Sequence, residues 1–233
     1  FSLQSNRQIK INFDGGDLSS DTGLLLIKEF AAKIGFTKLI KKKFKTNDKA
    51  VRFHKDAENL LQIIYQVISA YFQDDCADEL TLDPVFQAIL EKESLASQPT
   101  LSRFFNRMDE DTLIQFDDID KNLRNIIYSI KWPEHVFLDL DSTLFGTYGK
   151  QEGEGFNFHY QEHGYHPLLC YDGLTGDLIK AEFRDGTLYC SNGADKFMKS
   201  IFREYLEGGI NTYLRGDSGF SSPKLYETCE SNG

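Results

Sequence analysis

The chain has 233 residues, with 36 acidic and 26 basic side chains and a formal net charge of −10 at neutral pH. Its hydrophobic content of 40% and charged content of 27% are typical of a folded globular protein and exclude wholesale disorder. The longest apolar stretch, Leu60 to Phe72, is too short to span a bilayer, so no membrane partner is expected. Four widely spaced cysteines favour a reduced, cytosolic protein without a disulfide framework.

The acidic net charge is an average over two opposed segments. Lys33 to Lys55 contain nine Lys or Arg and one Asp, a local charge of +8. Gln73 to Asp120 contain thirteen acids and three bases, a local charge of −10. Nucleic-acid-binding domains usually show a basic excess, but a basic segment within an acidic chain can still contact phosphates. The net charge therefore does not exclude DNA as a partner.

Apolar periodicity predicts helices through the first half of the chain, up to about Ile130. A first helix, capped by Ser19 or Ser20 and ended by Gly35, is predicted to bury Leu24, Leu25, Ile27, Phe30, Ala31 and Ile34. Leu60 to Phe72 are apolar almost all round, which predicts a central buried helix.

Prolines mark the starts of two further helices. Asp83-Pro84 opens a short helix, and Ser97 to Thr100 precede a helix that carries Arg103 and Arg107. A longer amphipathic helix is predicted from Asp111 to Ile130, with these apolar side chains facing inward: Leu113, Phe116, Ile119, Leu123, Ile126, Ile127 and Ile130.

The second half is glycine-rich, with thirteen of the eighteen glycines between Gly146 and Gly219. Val136 to Asp141 alternate as in a strand, with Val136, Leu138 and Leu140 on one face and Phe137, Asp139 and Asp141 on the other. A hairpin is predicted from two strands and their turn, Pro167–Tyr171, Leu178–Phe183 and Asp172–Gly176. The last predicted elements are a helix at Ala194–Leu206 with Phe197, Ile201, Tyr205 and Leu206 inward, a strand at Ile210–Leu214, and a helix from about Ser222. The predicted fold class is α/β.

Two aspartates stand at the ends of predicted strands, Asp141 at the first and Asp217 just after the last. Carboxylates at strand ends can converge at one edge of a sheet, where Mg²⁺ finds the oxygen ligands that it prefers. Two metals about 4 Å apart could activate a water and stabilise the leaving oxygen of a phosphodiester. From spacing alone, however, capping of turns and helices is the more common role of such residues.

Six blocks of sequence, in the same order, make the chain resemble the DDE transposases of bacterial insertion sequences, of the insertion-sequence-1380 type related to the insertion-sequence-4 group. The blocks are Leu18 to Leu26, Leu95 to Phe104, Leu138 to Thr143 with Gly146 and Gly149, Gly164 to Leu168, Thr175-Gly176 with Phe183 to Gly186, and Arg215 to Phe220. The resemblance implies a helical N-terminal region for DNA binding or dimerisation at residues 1–131. It implies an RNase H-like mixed sheet with flanking helices, incomplete at the C-terminus, at residues 132–233.

By this resemblance Asp141 is the first metal-binding carboxylate and Asp217 the second, with Asp139 as the fallback for the first. The implied cofactor is Mg²⁺, with Mn²⁺ able to substitute. The implied partners are transposon ends and target DNA, bound by a homo-oligomer in the bacterial cytoplasm and associated with the nucleoid. The implied reaction is metal-dependent DNA strand cleavage followed by strand transfer.

The third carboxylate of the family is a Glu on a later helix, expected well beyond Phe220. The sequence ends at Gly233, and Glu227 and Glu230 are on the wrong element to take its place. Catalysis by this chain is therefore left open. One alternative is a truncated transposase that acts only as a DNA-binding or dimerising module. Another is an RNase H-like nuclease that uses Asp139, Asp141 and Asp217.

Two groups of basic residues are predicted to contact DNA. The first half contributes Lys41, Lys42, Lys43, Lys45, Arg103 and Arg107, and the second half contributes Arg184 and Arg215 near the proposed metal site. The competing interpretation is a solvated helix face for the lysines, surface arginines beside the core residues Phe104 and Phe105, and an ion pair with a neighbouring acid for Arg215.

Other sequence patterns give weaker indications of a functional site. His159 to His163 spell H-x-x-E-H, a zinc-protease pattern that needs a helix, but the surrounding glycines and Pro167 indicate a loop or hairpin. His166 is expected to be structural or to contact substrate. The glycine-rich segments match no phosphate-binding loop pattern, and no Cys has an evident His partner for nucleophilic catalysis.

Overall fold

Helices make up the first half of the chain, as its apolar periodicity predicts. The structure is a computed structural model that describes residues 2–14 and 21–232. The helices of the first half are α1 Leu24–Lys33, α2 Phe36–Lys43, α3 Asp56–Ile68, α4 Cys76–Leu80, α5 Pro84–Leu90, α6 Gln98–Phe105 and α7 Glu110–Ile130. The chain divides into two compact units, Phe1–Ile126 and Ile127–Gly233, each with its own buried apolar cluster. Within the described part of the chain, no helix combines the length and apolarity needed to cross a membrane.

The first helix ends where it was predicted to end, because Gly35 takes a left-handed conformation with φ of 75°. Its buried face was predicted only in part: Leu24, Leu25 and Ala31 are buried as expected, but Ile27 and Phe30 are exposed and Lys28 and Glu29 are buried. Both polar side chains are fully engaged, as buried polar groups must be. The Lys28 ammonium donates to the carbonyl oxygens at the end of α5, and the Glu29 carboxylate accepts from Ser5. The proposed caps, Ser19 and Ser20, lie outside the described residues.

The helix α3 is only partly the buried helix that was predicted. It ends at Ile68, and Val67, Ile68 and Phe72 are exposed. Its buried face instead includes Gln62, whose amide exchanges two hydrogen bonds of 2.8 Å with the backbone of Ala96. Gln62 thus occupies a buried position that the apolar pattern predicts to be hydrophobic. Its side chain is buried because it forms hydrogen bonds with the backbone of a loop.

The two proline-marked helix starts are confirmed, and Asp83 caps α5 by accepting from two backbone N–H groups at 2.9 Å. In α7 the predicted inward residues Leu113, Ile127 and Ile130 are exposed, as is Phe105 in α6. Contacts at the start of α7 explain why the buried face of this helix differs from the predicted one. Thr112 is buried because it and Asp109 exchange hydrogen bonds there, which turns the next residue, Leu113, to the surface.

The second unit contains seven strands and two further helices among its described residues. They are β1 His135–Ser142, β2 Phe145–Gly146, β3 Gly155–Asn157, β4 Glu162–Tyr165, β5 Leu168–Asp172, β6 Leu178–Glu182, β7 Asn211–Gly216, α8 Ala194–Glu207 and α9 Pro223–Ser231. The main sheet has the order β6-β5-β1-β7. β5 is antiparallel to both of its neighbours, and β7 is parallel to β1.

One face of this sheet carries the core of the second unit. Val136, Leu138 and Leu140 are buried, as their alternation predicts, and belong to the same apolar cluster as residues of α8 and α9. Leu206 was predicted to face inward but is exposed. The predicted fold class is confirmed: a helical region is followed by an RNase H-like mixed sheet with flanking helices.

The glycine-rich segment forms a second sheet that was not predicted, with the order β2-β4-β3. Glycines pair across it, because Gly164 lies opposite both Gly146 and Gly155. A Cβ on Gly164 would lie 2.3 Å from the carbonyl oxygen of Phe145, and one on Gly186 would lie 2.0 Å from the carbonyl oxygen of Gly164. Backbone segments approach too closely there for any side chain, which accounts for the glycine content of this region.

Candidate metal and nucleic-acid sites

The sheet brings Asp141 and Asp217 to the same edge. β1 and β7 are adjacent and parallel, paired from His135 opposite Asn211 to Leu140 opposite Gly216. Asp141 is the next residue of β1, and Asp217 directly follows β7. Both side chains line one cleft of about 340 Å³. The convergence predicted from two strand ends therefore occurs.

Each of these carboxylates has one oxygen engaged by the backbone. Asp141 Oδ1 accepts from the N–H of Ser142 at 2.7 Å, and Asp217 Oδ1 accepts from the N–H of Gly219 at 2.9 Å. Asp217 thereby caps a short 3-10 helix, Ser218–Phe220, so the capping role coexists with the cleft position. Neither Oδ2 atom has a hydrogen-bond partner within the described residues.

This donor set suits a hard divalent cation. Two carboxylate oxygens point to Mg²⁺ or Mn²⁺ rather than to a metal that prefers sulfur or imidazole. None of the described residues that line the cleft is Lys or Arg, so no fixed positive charge competes for the carboxylates. In residues 2–14 and 21–232 no group of three His, Cys, Asp or Glu is arranged to hold a metal. The cleft therefore offers two protein ligands and leaves other positions to water or substrate.

Asp139, the predicted fallback ligand, has a different partner. Its carboxylate forms a two-point ion pair with the guanidinium of Arg215, with Oδ1 2.7 Å from Nε and a second contact between Oδ2 and Nη2. This hydrogen-bonded pair raises the pKa of Arg215. Gly173 leaves room for the carboxylate, since a Cβ there would lie 2.7 Å from Asp139 Oδ2. Asp139 is not among the residues that line the cleft.

Arg184, predicted to contact DNA, is buried, with 6% of its surface exposed. Its guanidinium donates to the carbonyl oxygens of His166 at 2.9 Å and Asn192 at 2.6 Å. Burial lowers the pKa of Arg184, whose charge is balanced by these carbonyl dipoles. The prediction of a DNA contact is wrong for Arg184, because the charge faces the protein interior. Arg215 is exposed, but its charge is paired with Asp139.

The H-x-x-E-H segment forms a turn and the start of β4, so the zinc-binding helix is absent from these described residues. Asn157 organises this turn by accepting from the backbone N–H groups of His159 at 3.0 Å and Tyr160 at 3.3 Å. Tyr160, in this turn, lines the same cleft as Asp141 and Asp217. Tyr160 could not be identified from the sequence, because β3 and β4 are too short and glycine-rich to be recognised as strands.

Tyr160 is close enough to the two carboxylates for their charges to change its pKa. Burial, and after it the negative charges of Asp141 and Asp217, raise the pKa of Tyr160. Its ring lies edge-on to the imidazole of His166, with 5.7 Å between ring centroids. The hydroxyl donates to the carbonyl oxygen of Ser142 at 3.3 Å, a long hydrogen bond.

His166 is structural, as one of its two predicted roles requires. It is 3% exposed, and its Nδ1 donates to the carbonyl oxygen of Leu188 at 2.8 Å. Its backbone N–H donates to the carbonyl oxygen of Arg184, whose Nε donates back to the carbonyl oxygen of His166. These bonds join the segment after β4 to the segment that carries Leu188, which also lines the cleft.

The lysines predicted to contact DNA lie in the first unit and differ in their surroundings. Lys41, Lys42 and Lys45 are exposed, whereas Lys43 forms an ion pair of 2.7 Å with Asp118. Lys41 and Lys45 line a surface cleft of about 410 Å³ that also includes Lys55. The acids of that cleft are paired with bases other than its lysines, in the ion pairs Asp48–Arg52, Asp56–Arg107 and Glu58–Lys92. Its lysines therefore remain open to an external anion.

Arg103 and Arg107 differ in their exposure and in their ion pairs. Arg103 is exposed on α6, so a DNA contact by this residue stays a prediction. Arg107 follows the end of α6, and its side chain is 14% exposed and bound to Asp56 at 2.9 Å. A DNA contact by Arg107 stays a prediction, although its guanidinium is paired with Asp56 within the first unit.

A family model described as "Transposase DDE domain group 1" matches residues 1–233. No curated protein matches the chain. Among solved structures, "Mos1 transposase paired-end complex with left transposon end" is 11% identical with a TM-score of 0.28, over 87% of this chain and 65% of that chain. "Cryo-EM structure of piggyBac transposase synaptic complex with hairpin DNA (SNHP)" is 16% identical with a TM-score of 0.35, over 83% of this chain and 44% of that chain. This chain thus spans less than two thirds of the length of either.

Proposed function

The chain belongs to the transposase DDE domain group 1 family, and we propose that it carries part of the active site of a DNA transposase. The proposed reaction cleaves one DNA strand at a transposon end and joins the freed 3′-hydroxyl to target DNA. Water attacks the phosphorus in the first step and the 3′-hydroxyl attacks it in the second, so no covalent protein–DNA intermediate is required. The proposed setting is a bacterial insertion sequence of the 1380 type, acting in the cytoplasm and at the nucleoid.

The single observation that carries this proposal is the convergence of Asp141 and Asp217 at one sheet edge, each with an oxygen free of protein partners among the described residues. These two carboxylates would hold Mg²⁺, or Mn²⁺ in its place. The bound metal would supply Lewis-acid activation of the attacking oxygen and stabilisation of the leaving oxygen. A third carboxylate, supplied by a Glu outside residues 1–233, would complete the ligand set.

The first unit would bind DNA through phosphate contacts, and Lys41, Lys42 and Lys45 are the side chains best placed to make them. Arg103 is a further exposed basic residue of this unit. We propose that residues 1–131 bind transposon ends or dimerise and that residues 132–233 carry the catalytic aspartates. The active form would be a homo-oligomer, because two transposon ends must be brought together.

A cleavage assay with supercoiled and linear DNA tests the assignment of the two aspartates. We expect Mg²⁺- or Mn²⁺-dependent cleavage by the full-length transposase that contains these residues, and its loss in Asp141→Asn and Asp217→Asn. Glu207→Gln is a matched control, since it removes an exposed carboxylate of α8 that does not line the cleft. Cleavage retained in Asp217→Asn would remove this residue from the mechanism.

Two alternatives remain distinguishable by the same assay. If the chain lacks cleavage but still binds DNA, it acts as a binding or dimerising module. If it cleaves without joining strands and without dependence on terminal repeats, it acts as an RNase H-like nuclease. Mn²⁺ binding followed by electron paramagnetic resonance reports on the aspartates in either case, because it does not require turnover.

A further inference from the structure

Substrate binding would bring like charges together in the cleft around Asp141 and Asp217. A DNA strand adds a phosphate to two carboxylates, and no Lys or Arg is among the described residues that line the cleft. Phosphoryl transfer gains most from donors that are already directed at the phosphate oxygens when charge develops. The donors that line this cleft are hydroxyl, amide, imidazole and thiol groups rather than ammonium or guanidinium groups.

Four of the polar side chains that line the cleft already donate to protein acceptors, and Ser142, His159, Tyr189 and Ser218 line it as well. The engaged donors, with their acceptors, are Thr187 to Asp185 at 2.6 Å, Asn157 to Gly186 at 2.8 Å, His166 to Leu188 at 2.8 Å and Cys190 to Gly219 at 3.3 Å. Tyr160 differs, because its single hydrogen bond is long and its acceptor is the carbonyl oxygen of Ser142, next to Asp141. A phosphate oxygen could replace that acceptor at little cost, since charge-assisted hydrogen bonds are shorter and stronger.

The position of Tyr160 is fixed before any ligand binds. Asn157 accepts from its backbone N–H at 3.3 Å, and its ring lies edge-on to the buried imidazole of His166. The side chain is still 41% exposed, so the hydroxyl end is open to the cleft. A donor held in this way loses little conformational entropy on contact with substrate.

We propose that Tyr160 contacts the scissile phosphate: its hydroxyl donates a hydrogen bond to a non-bridging oxygen of the phosphodiester that lies between Asp141 and Asp217. This assignment rests on the proposed function, because it takes the phosphodiester to be the substrate of the cleft. It adds a third, uncharged group to the two carboxylates. Tyr160 shares a wall of the cleft with His159 and neither residue is required as a metal ligand.

Tyr160→Phe is the decisive variant, because it removes the hydroxyl and keeps the ring that packs on His166. We expect DNA cleavage to fall by about 10-fold or more, as for a lost hydrogen bond to a charged group. If the contact is stronger in the transition state than in the bound substrate, the variant mainly lowers kcat. If the contact is equally strong in both, the variant mainly raises KM. The matched control is Tyr148→Phe, since Tyr148 is exposed and outside the cleft.

A second measurement does not depend on turnover. Fluorescence anisotropy of a labelled oligonucleotide, with Mg²⁺ present, compares the affinities of the protein and of both variants, and thermal unfolding checks that each is folded. Weaker binding by Tyr160→Phe alone supports the phosphate contact even if residues 1–233 cleave nothing, whereas absence of cleavage by the full-length transposase would reject the proposed activity instead. Unchanged binding together with unchanged or absent cleavage overturns the assignment of Tyr160. A matching loss in Tyr148→Phe also overturns it.

Discussion

Asp139 on β1 and Arg215 on β7 form a two-point ion pair across two parallel strands, immediately before the positions where Asp141 and Asp217 reach the cleft. Directly opposed residues of adjacent strands are close enough for such pairs. The pair neutralises Asp139 and occupies both of its oxygens. Asp139 and Asp141 lie on the same strand, and from the sequence either could be the first metal ligand. The ion pair gives Asp139 a different role from Asp141.

Metal binding should distinguish Asp139 from Asp141. We expect Asp141→Asn to weaken Mn²⁺ binding by about 10-fold or more, because a charged ligand is lost. Asp139→Asn should change the Mn²⁺ affinity by less than about 3-fold, since its carboxylate is committed to Arg215. Titration of each variant with Mn²⁺, followed by electron paramagnetic resonance, measures both values. The reverse order of effects would make Asp139 the first ligand.

The salt dependence of DNA binding should identify the lysines that contact phosphates. Each neutralised phosphate contributes about 0.9 to the slope of log affinity against log salt concentration. Replacing both Lys41 and Lys45 by Gln should therefore reduce the slope by about 1.8. Lys43→Gln is the matched control from the same basic segment, because Lys43 is paired with Asp118. Equal slopes for all variants would show that these lysines form only a solvated face.

The stability of the first unit should decrease in acid because of Asp56. Burial would raise its pKa, but hydrogen bonds from Thr46 and Arg107 outweigh burial, and the pKa lies below the ordinary value of 3.8. A carboxyl group with a lowered folded-state pKa stabilises the fold at pH values above its unfolded pKa. That contribution is lost as the pH falls through the folded-state pKa.

We therefore expect the free energy of unfolding to decline from about pH 5 downward and the Asp56→Asn variant to show a shallower decline. Urea unfolding at several pH values measures both curves. The exposed residue Asp74 provides a control, as Asp74→Asn retains the buried ion pair of Asp56. Parallel curves for the protein and Asp56→Asn would contradict this account.

The close backbone contacts of the second sheet predict a local sensitivity to size. Gly164→Ala should destabilise the second unit by about 1–3 kcal/mol or more, because its Cβ would overlap the backbone of Phe145. Gly208→Ala should be tolerated, since its Cβ would meet ordinary contacts of 3.4 Å or longer. Chemical unfolding of both variants measures the difference. Similar stabilities would mean that the sheet can separate without cost.

The main strands and the meeting of Asp141 with Asp217 could be predicted from the sequence because both depend on local patterns. Alternation identified the buried face of β1, and the family resemblance selected Asp141 and Asp217. Their proximity follows from the parallel pairing of adjacent strands, which fixes where strand ends lie. The proposed roles of these residues in metal binding stay predictions.

Long-range polar contacts could not be predicted, and they account for most of the errors. Lys28 and Arg184 are buried because backbone carbonyls remote in sequence accept from them, and no local pattern specifies such acceptors. Arg107 is likewise engaged by Asp56, 51 residues away along the chain. Apolar periodicity fails at the same places, since a satisfied polar side chain can replace a hydrophobic one in the interior.

Gly155 and Gly186 bring together two segments that line the cleft. Gly155 precedes the turn that carries Tyr160, and Gly186 precedes the segment that carries Cys190. A Cβ on Gly186 would lie 2.6 Å from the carbonyl oxygen of Gly155, so the two backbones touch directly. A side chain at Gly186 would therefore displace both of these lining segments at once.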